Sequence, residues 1–212
     1  AGTERVEQEV KKYFPKARVL RMDVDTTRYK NAHESIYNSF KNKEADILIG
    51  TQMVSKGLDF KDVTLVGVLA ADMSLNMPDY RSAERTYQII TQVSGRAGRG
   101  EDEGKVIVQS YTPNHYSLEY AKNENYINLF KEEIRIRQLM GNPPFGKILL
   151  INCVSKFEDK LKRFMYNLEG SLKELILDEE ITIYGPVPCI ITKLKDNYRW
   201  QIILKGKLND DF

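Results

Sequence analysis

Residues 45–100 read ADILIGTQMVSKGLDFKDVTLVGVLAADMSLNMPDYRSAERTYQIITQVSGRAGRG, and their spacing decides the fold class. Residues 46–50 form a short apolar run that stops at Gly50-Thr51. Residues 64–71 form a longer one that stops at Asp72. Runs without polar alternation suit strands covered on both faces, as in a parallel sheet. In such sheets ligands bind beyond the carboxyl ends of the strands. Those ends carry Thr51, Gln52, Lys56, Gly57, Asp59 and Asp72.

The helix pattern that follows ends in Gln92-Val93-Ser94-Gly95-Arg96-Ala97-Gly98-Arg99, of the form Q-x-x-G-R-x-G-R. Two glycines thin the backbone beside two guanidiniums three residues apart, so both can serve one anion near a helix end. A guanidinium is always charged and offers a planar fork of donors, which suits a phosphoryl group in transfer. This is the chemistry of an arginine finger. Gln92 lies one helical turn before Arg96 and can face the same cleft. Taken alone, Arg96 and Arg99 also fit a pair of surface arginines in a Gly-rich turn.

Around this stretch, strand and helix patterns alternate, which argues for an α/β lobe with right-handed crossovers. Residues 4–14 carry Val6, Val10 and Phe14 along one helical face, with Thr3 as a candidate N-cap. The free amides at such a helix start suit a phosphate, and an ordinary cap is the alternative. Residues 18–22 read as a strand leading into Asp23-Val24-Asp25-Thr26-Thr27. Asp25, Thr26 or Thr27 can cap the helix expected over 29–43, whose buried stripe is Ala32, Ile36 and Phe40. A further helix is expected from Pro78-Asp79, with Tyr87, Ile90 and Val93 on its apolar side. Residues 106–111 read as a strand closing the sheet.

Thr112-Pro113 marks a boundary. Residues 115–140 look helical throughout, with Tyr126, Leu129, Phe130, Ile134 and Leu139 as packing positions, and Asn142-Pro143-Pro144 ends them. The remainder reads strand (147–154), helix (159–177), strand (181–184), strand (198–204): a small α+β domain with an antiparallel sheet. Lys193, Lys195, Arg199 and Trp200 lie on or beside one hairpin. Basic residues interleaved with an aromatic suit single-stranded DNA, and a solvated hairpin with Trp200 partly in the core is the alternative.

The chain has 212 residues, 42% hydrophobic and 29% charged, with formal net charge +2. That balance suits a globular protein, and any nucleic-acid surface must be local. No long apolar span or signal-peptide pattern occurs, so the chain reads as intracellular, with no membrane partner. Cys153 and Cys189 have no partner at metal-ligand spacing and read as buried thiols. His33 and His115 suit surface or capping roles. No metal ligand set is assigned.

Gly50-Thr51-Gln52, Lys56-Gly57, Asp59-Phe60 and the Q-x-x-G-R-x-G-R run together resemble motifs V and VI of superfamily 2 helicases, in the second RecA-like lobe. The resemblance is closer to the PriA, or primosomal protein N′, family of replication-restart helicases. It rests on GTQMVSKGLDFKDVTLV (50–66), DYRSAERT (79–86), TQVSGRAGRG (91–100), GTE (2–4), DVDTT (23–27), YGPVP (184–188) and RWQI (199–202). This resemblance implies a second RecA-like lobe over 1–112, a helical linker over 113–146 and an α+β C-terminal domain over 147–212 that contacts DNA or partners. In such families the last domain continues with a further helix and strand, so the chain reads as cut short.

By the same resemblance, Arg96, Arg99 and Gln92 act on the γ-phosphate of ATP. Gly57 allows close backbone approach, Asp59 accepts from the ribose, and Lys56 contacts either ligand. Thr3, Thr26, Thr51 and Gln52 face the DNA backbone, and Lys193, Arg199 and Trp200 extend that surface. The chain has no G-x-x-x-x-G-K-[ST] loop and no DExH-type box, so ATP and Mg²⁺ are expected mainly on a missing first lobe. Zinc is expected in the full-length protein and not in this fragment, which alone is expected to be inactive. The implied activity is ATP-dependent 3′-to-5′ unwinding of stalled or forked DNA, with replication restart and primosome assembly. The implied partners are forked and single-stranded DNA, single-stranded-DNA-binding protein and primosome proteins, in the bacterial cytoplasm at the nucleoid. Another superfamily 2 motor, or a non-catalytic binding module on a helicase-like scaffold, stays open.

Overall fold

The computed structural model describes residues 2–27, 31–51, 60–95, 97–98, 104–176 and 180–207. It divides into two compact units, Ala1–Leu129 and Phe130–Phe212. The first contains α1 (Thr3–Tyr13), β1 (Val19–Met22), α2 (Ala32–Lys41), β2 (Ile47–Gly50), β3 (Leu65–Val68), α3 (Asp72–Leu75), α4 (Ser82–Ser94), β4 (Lys105–Val108) and α5 (Tyr116–Lys122). The division falls within α6 (Tyr126–Leu139). The second contains β5 (Lys147–Ser155), α7 (Glu158–Leu175), β6 (Ile181–Leu194) and β7 (Asn197–Gly206).

Among the described residues, the strands of the first unit form two parallel pairs. β1 lies beside β2, from Val19 opposite Ile47 to Met22 opposite Gly50. β3 lies beside β4, from Leu65 opposite Lys105 to Val68 opposite Val108. Under the first pair, Met22 and Phe60 pack with Ile36, Tyr37, Phe40, Leu48 and Val63. The Phe60 ring meets Phe40 edge-on at 4.8 Å and lies 5.3 Å from Tyr37. The helical stripe of Ile36 and Phe40 therefore does what its spacing predicts. The second pair packs Val68 and Val108 against Ala71, Tyr87, Ile90, Leu118 and Ala121.

The apolar run at 64–71 behaves differently from the reading of a strand covered on both faces. The strand is shorter, and Leu65 is 58% and Ile107 52% exposed. Only the alternate positions meet the helical core, so the pair is packed on one face. After it comes a short helix, α3, that the sequence reading had no place for. The next helix begins at Ser82 instead of Asp79, because the Asp79 carboxylate turns back onto the Arg81 amide at 2.9 Å and onto both the Arg81 and Arg85 guanidiniums.

Asp72, 7% exposed, opens α3 and fastens the chain leaving β4. Its Oδ1 accepts from the Ser110 hydroxyl (2.8 Å), the Thr112 hydroxyl (2.8 Å) and the Thr112 amide (3.2 Å). Its Oδ2 accepts from the Tyr111 amide at 2.9 Å. The Tyr111 amide, then the Ser110 and Thr112 hydroxyls, hold this carboxyl at about 2 although desolvation opposes them.

The single helix expected over 115–140 is two. His115 caps the first, its Nδ1 accepting from the Ser117 amide at 3.2 Å. Glu124 then takes φ +50, and Asn125 Oδ1 accepts from the Asn128 amide to start α6. Of the five packing positions expected here, Leu129 is buried, whereas Tyr126, Phe130 and Leu139 are exposed. Glu133 and Arg137, ion-paired at 3.5 Å, take the sheltered face instead.

The second unit is the expected antiparallel sheet, in the order β5-β7-β6, with α7 on one face. Leu161 and Met165 of α7 meet Trp200, Ile202 and Leu204, which alternate along the central strand. β6 runs on to Leu194, well past the expected end at Tyr184, through Pro186 and Pro188. An edge strand tolerates proline, and two register shifts accommodate the extra residues. Cys189 is buried and Cys153 half-buried, and both are free thiols.

Two measurements check this account. Phe60→Ala is expected to lower folding stability by about 3 kcal/mol in chemical denaturation, as for other buried phenylalanines; an unchanged midpoint would remove Phe60 from the core. The Asp72 carboxyl sits at about 2 when folded and near the ordinary carboxylate value of about 3.9 when unfolded. Its stabilisation is thus full above about pH 4 and lost as pH falls toward about 2, where the unfolded chain takes up the proton first. Asp72→Asn should lower stability at neutral pH and flatten this acid loss; a variant whose urea midpoints follow the parent's from pH 7 to pH 2 contradicts the assignment.

Candidate functional site

The carboxyl ends of β1 and β2 bring several expected contact residues together. Met22 pairs with Gly50, so Asp23 and Thr51 are the first residues past the ends of neighbouring strands. Thr51 is exposed at that edge. Asp23 is only 6% exposed and organises the neighbourhood. Its Oδ2 accepts from the Thr3 hydroxyl, and its Oδ1 from the amides of Asp25 (3.0 Å) and Thr26 (2.9 Å).

The main chain of Asp23 joins in. Its carbonyl accepts from the hydroxyls of Thr27 (2.6 Å) and Thr26 (3.2 Å), and its amide donates to Thr26 Oγ1 at 2.9 Å. The Arg21 guanidinium lies 3.0 Å from the carboxylate and 3.5 Å from that of Glu7. The Thr3 hydroxyl, followed by the Thr26 amide and the Arg21 charge, holds the Asp23 carboxyl below its ordinary range against the opposing effect of burial.

These contacts revise the capping assignments. Gly2 is the N-cap of α1, and Thr3 is its first helical residue, with its hydroxyl turned to Asp23. Thr26 and Thr27 close on Asp23 and leave the start of α2 to Asn31, whose side chain makes no cap bond. The sequence reading used Asp23 only as a strand end. Its partner Thr3 lies 20 residues away, and no local spacing shows that pairing.

At the opposite end of α4, Gln92 is exposed one turn before Gly95 closes the helix. Gly98, at φ +71, donates its amide to the Val63 carbonyl at 3.0 Å. Gly98 thus meets the segment leading into β3, just past Phe60 in sequence. Gly104 presses against the same point: a Cβ there would stand 2.1 Å from the Gly98 nitrogen. Two glycines are thus needed, one for a left-handed backbone and one for close approach. Gln52, Lys56, Gly57, Asp59, Arg96 and Arg99 lie outside the described residues.

In the second unit the three expected DNA contacts separate. Trp200 is 6% exposed and faces α7 within the core. Arg199, its neighbour on the strand, takes the opposite face, opposite Val154 of β5. Lys193 pairs with Asp196 at 3.2 Å and lies 5.1 Å from the Tyr198 ring centre. Among the described residues, no group of three His, Cys, Asp or Glu side chains is placed to hold a metal ion. Nor is any described helix long and apolar enough to cross a membrane.

Comparison with known proteins accounts for most of the chain. Residues 2–101 match the helicase conserved C-terminal domain, a RecA-like lobe of mixed helix and strand. Residues 138–211 match the primosomal protein N C-terminal domain. The chain is 45% identical over 210 residues to replication restart protein PriA of Bacillus subtilis, covering 97% of the chain and 26% of that protein. The protein of the same name from Synechocystis is 44% identical over 205 residues, covering 97% of the chain and 24% of that protein. That from Borreliella burgdorferi is 40% identical over 206 residues, covering 97% and 31%. The chain therefore spans about a quarter to a third of the length of these relatives. With both C-terminal domains matched in succession and identities of 40–45% along 97% of its length, the chain belongs to the replication restart protein PriA family.

Proposed function

We propose that residues 1–112 act as the second RecA-like lobe of an ATP-dependent 3′-to-5′ DNA helicase of the PriA type. In this reading the strand pairs of the first unit belong to one parallel sheet, residues 113–146 form a helical linker, and residues 147–212 contact DNA or partner proteins. The intact polypeptide recognises stalled or forked DNA and promotes replication restart and primosome assembly with single-stranded-DNA-binding protein and primosome proteins. It works in the bacterial cytoplasm, at the nucleoid. ATP with Mg²⁺ is held mainly by a first lobe elsewhere in the polypeptide, and zinc is bound by the full-length protein outside this chain.

The observation that carries this reading is the Gly98–Val63 bond, braced by Gly104. It supports a fixed backbone from which Arg96 and Arg99 reach the γ-phosphate as the lobes close. Their charge offsets what develops on the transferring phosphoryl group, while Gln92 orients the same cleft. Gly57 lets the backbone approach the nucleotide, Asp59 accepts from its ribose, and Lys56 contacts nucleotide or DNA. Thr3, Thr26, Thr51 and Gln52 belong to the side that meets the DNA backbone, where contacts position a strand without reading its sequence. In the second unit Lys193 and Arg199 each provide charge, on different faces of the sheet, and Trp200 anchors the strand that carries Arg199 in the core.

Arg99→Ala in the intact polypeptide should lower ATP turnover by roughly 10³-fold or more while fork binding persists. Near-parental ATPase in that variant would refute the finger assignment. Gly104→Ala should displace the Gly98 backbone, lowering both the melting temperature and turnover; parental values for both would show that the brace is dispensable. The 212-residue chain by itself should not hydrolyse ATP, and robust DNA-stimulated turnover by it would overturn the two-lobe reading.

A further inference from the structure

We propose that Asp23 is a positioning residue for DNA contact, and that the Thr3 hydroxyl acts on DNA only through it. This rests on the reading of the β1–β2 carboxyl edge as the DNA side. A threonine hydroxyl has one proton to give. Thr3 gives its proton to Asp23 Oδ2, and Thr26 and Thr27 give theirs to the Asp23 carbonyl. Phosphate oxygens only accept, so none of the three hydroxyls can serve a phosphate while these bonds stand. The side chains instead form a latch, with Asp23 at its centre, joining the first turn of α1 to the loop after β1.

Every oxygen of the latch is occupied. Oδ2 meets Thr3 and the Arg21 guanidinium, and Oδ1 meets the amides of Asp25 and Thr26. Arg21 in turn faces Glu7 on α1, which ties the same helix to the same strand a second time. What the latch fixes is the start of α1 against the loop that leaves the carboxyl end of β1. The first backbone bond of α1 runs from the Val6 amide to the Gly2 carbonyl, so the preceding amides of that turn have no intrahelical acceptor. Contact at Thr3 therefore goes through its main chain, and the side chain sets its position.

The test uses the intact polypeptide, with an oligothymidine probe read by anisotropy and by stimulated ATP turnover. Thr3→Val should raise the half-saturating DNA concentration about tenfold, the scale of one hydrogen-bonded contact, and affect maximal turnover much less. Thr3→Ser, which keeps the hydroxyl, should restore binding. Asp23→Asn, which cannot accept from Thr3 at the altered atom, should weaken binding comparably. The double variant Thr3→Val with Asp23→Asn should be no worse than the weaker single one, because both break one contact. Additive losses, or a Thr3→Val variant that binds like the parent, would overturn the latch. If Asp23→Asn fails to fold, the Thr3→Val and Thr3→Ser pair still decides. A parent that neither binds the probe nor hydrolyses ATP would instead sink the helicase reading, and the inference with it.

Discussion

An ionised carboxylate withdrawn from water has to be surrounded by donors, and the first unit meets that demand at both of its strand pairs. Asp23 follows β1 and Asp72 follows β3 by a few residues; each is almost fully enclosed and each accepts at least three hydrogen bonds. Most of the donors are main-chain amides or short hydroxyls from segments leaving a strand. The carboxylates therefore fix the chain at the carboxyl edge of the sheet pairs, where an α/β protein meets its ligands. Loops are usually the least ordered part of such a fold. Here the edge is tied down by charge, and the residues beside it inherit defined positions.

The contact of Gly98 with Val63 works by shape. Gly98 reaches a left-handed backbone and Gly104 makes room for it, so the position of Gly98 depends on the absence of side chains. Charge around the carboxylates and close backbone approach at the glycines give the first unit two kinds of rigidity. Both act on the backbone of loops that the helices and strands alone would leave unspecified.

What could be read from the sequence was what depends on period. The stripe of Ile36 and Phe40, the apolar side of α4, and the alternation of Trp200, Ile202 and Leu204 all follow from spacing. That last alternation also separates Arg199 from Trp200, since strand neighbours point to opposite faces. Grouping them as one surface overlooked a rule the sequence itself supplied. The break between α5 and α6 was less accessible, because Asn123-Glu124-Asn125 contains neither glycine nor proline, yet Glu124 adopts a positive φ. The tip of the β6–β7 hairpin is similar: Lys195 and Asp196 both take positive φ without the usual glycine. At the candidate site, Thr51 and Gln92 lie where strand-end and helix-turn arguments put them. The Asp23 latch was hidden because its decisive partner is distant in sequence and its nearer ones look like ordinary caps.

The prolines of β6 have a consequence for how the second unit can grow. Residues without an amide proton cannot complete a ladder with an incoming segment, and the two register shifts further interrupt that rim. The other rim, β5, offers residues 148–154, with no charge and no proline among them. The proline-bearing stretch of β6 therefore resists pairing with an added strand, whereas residues 148–154 of β5 carry no such interruption.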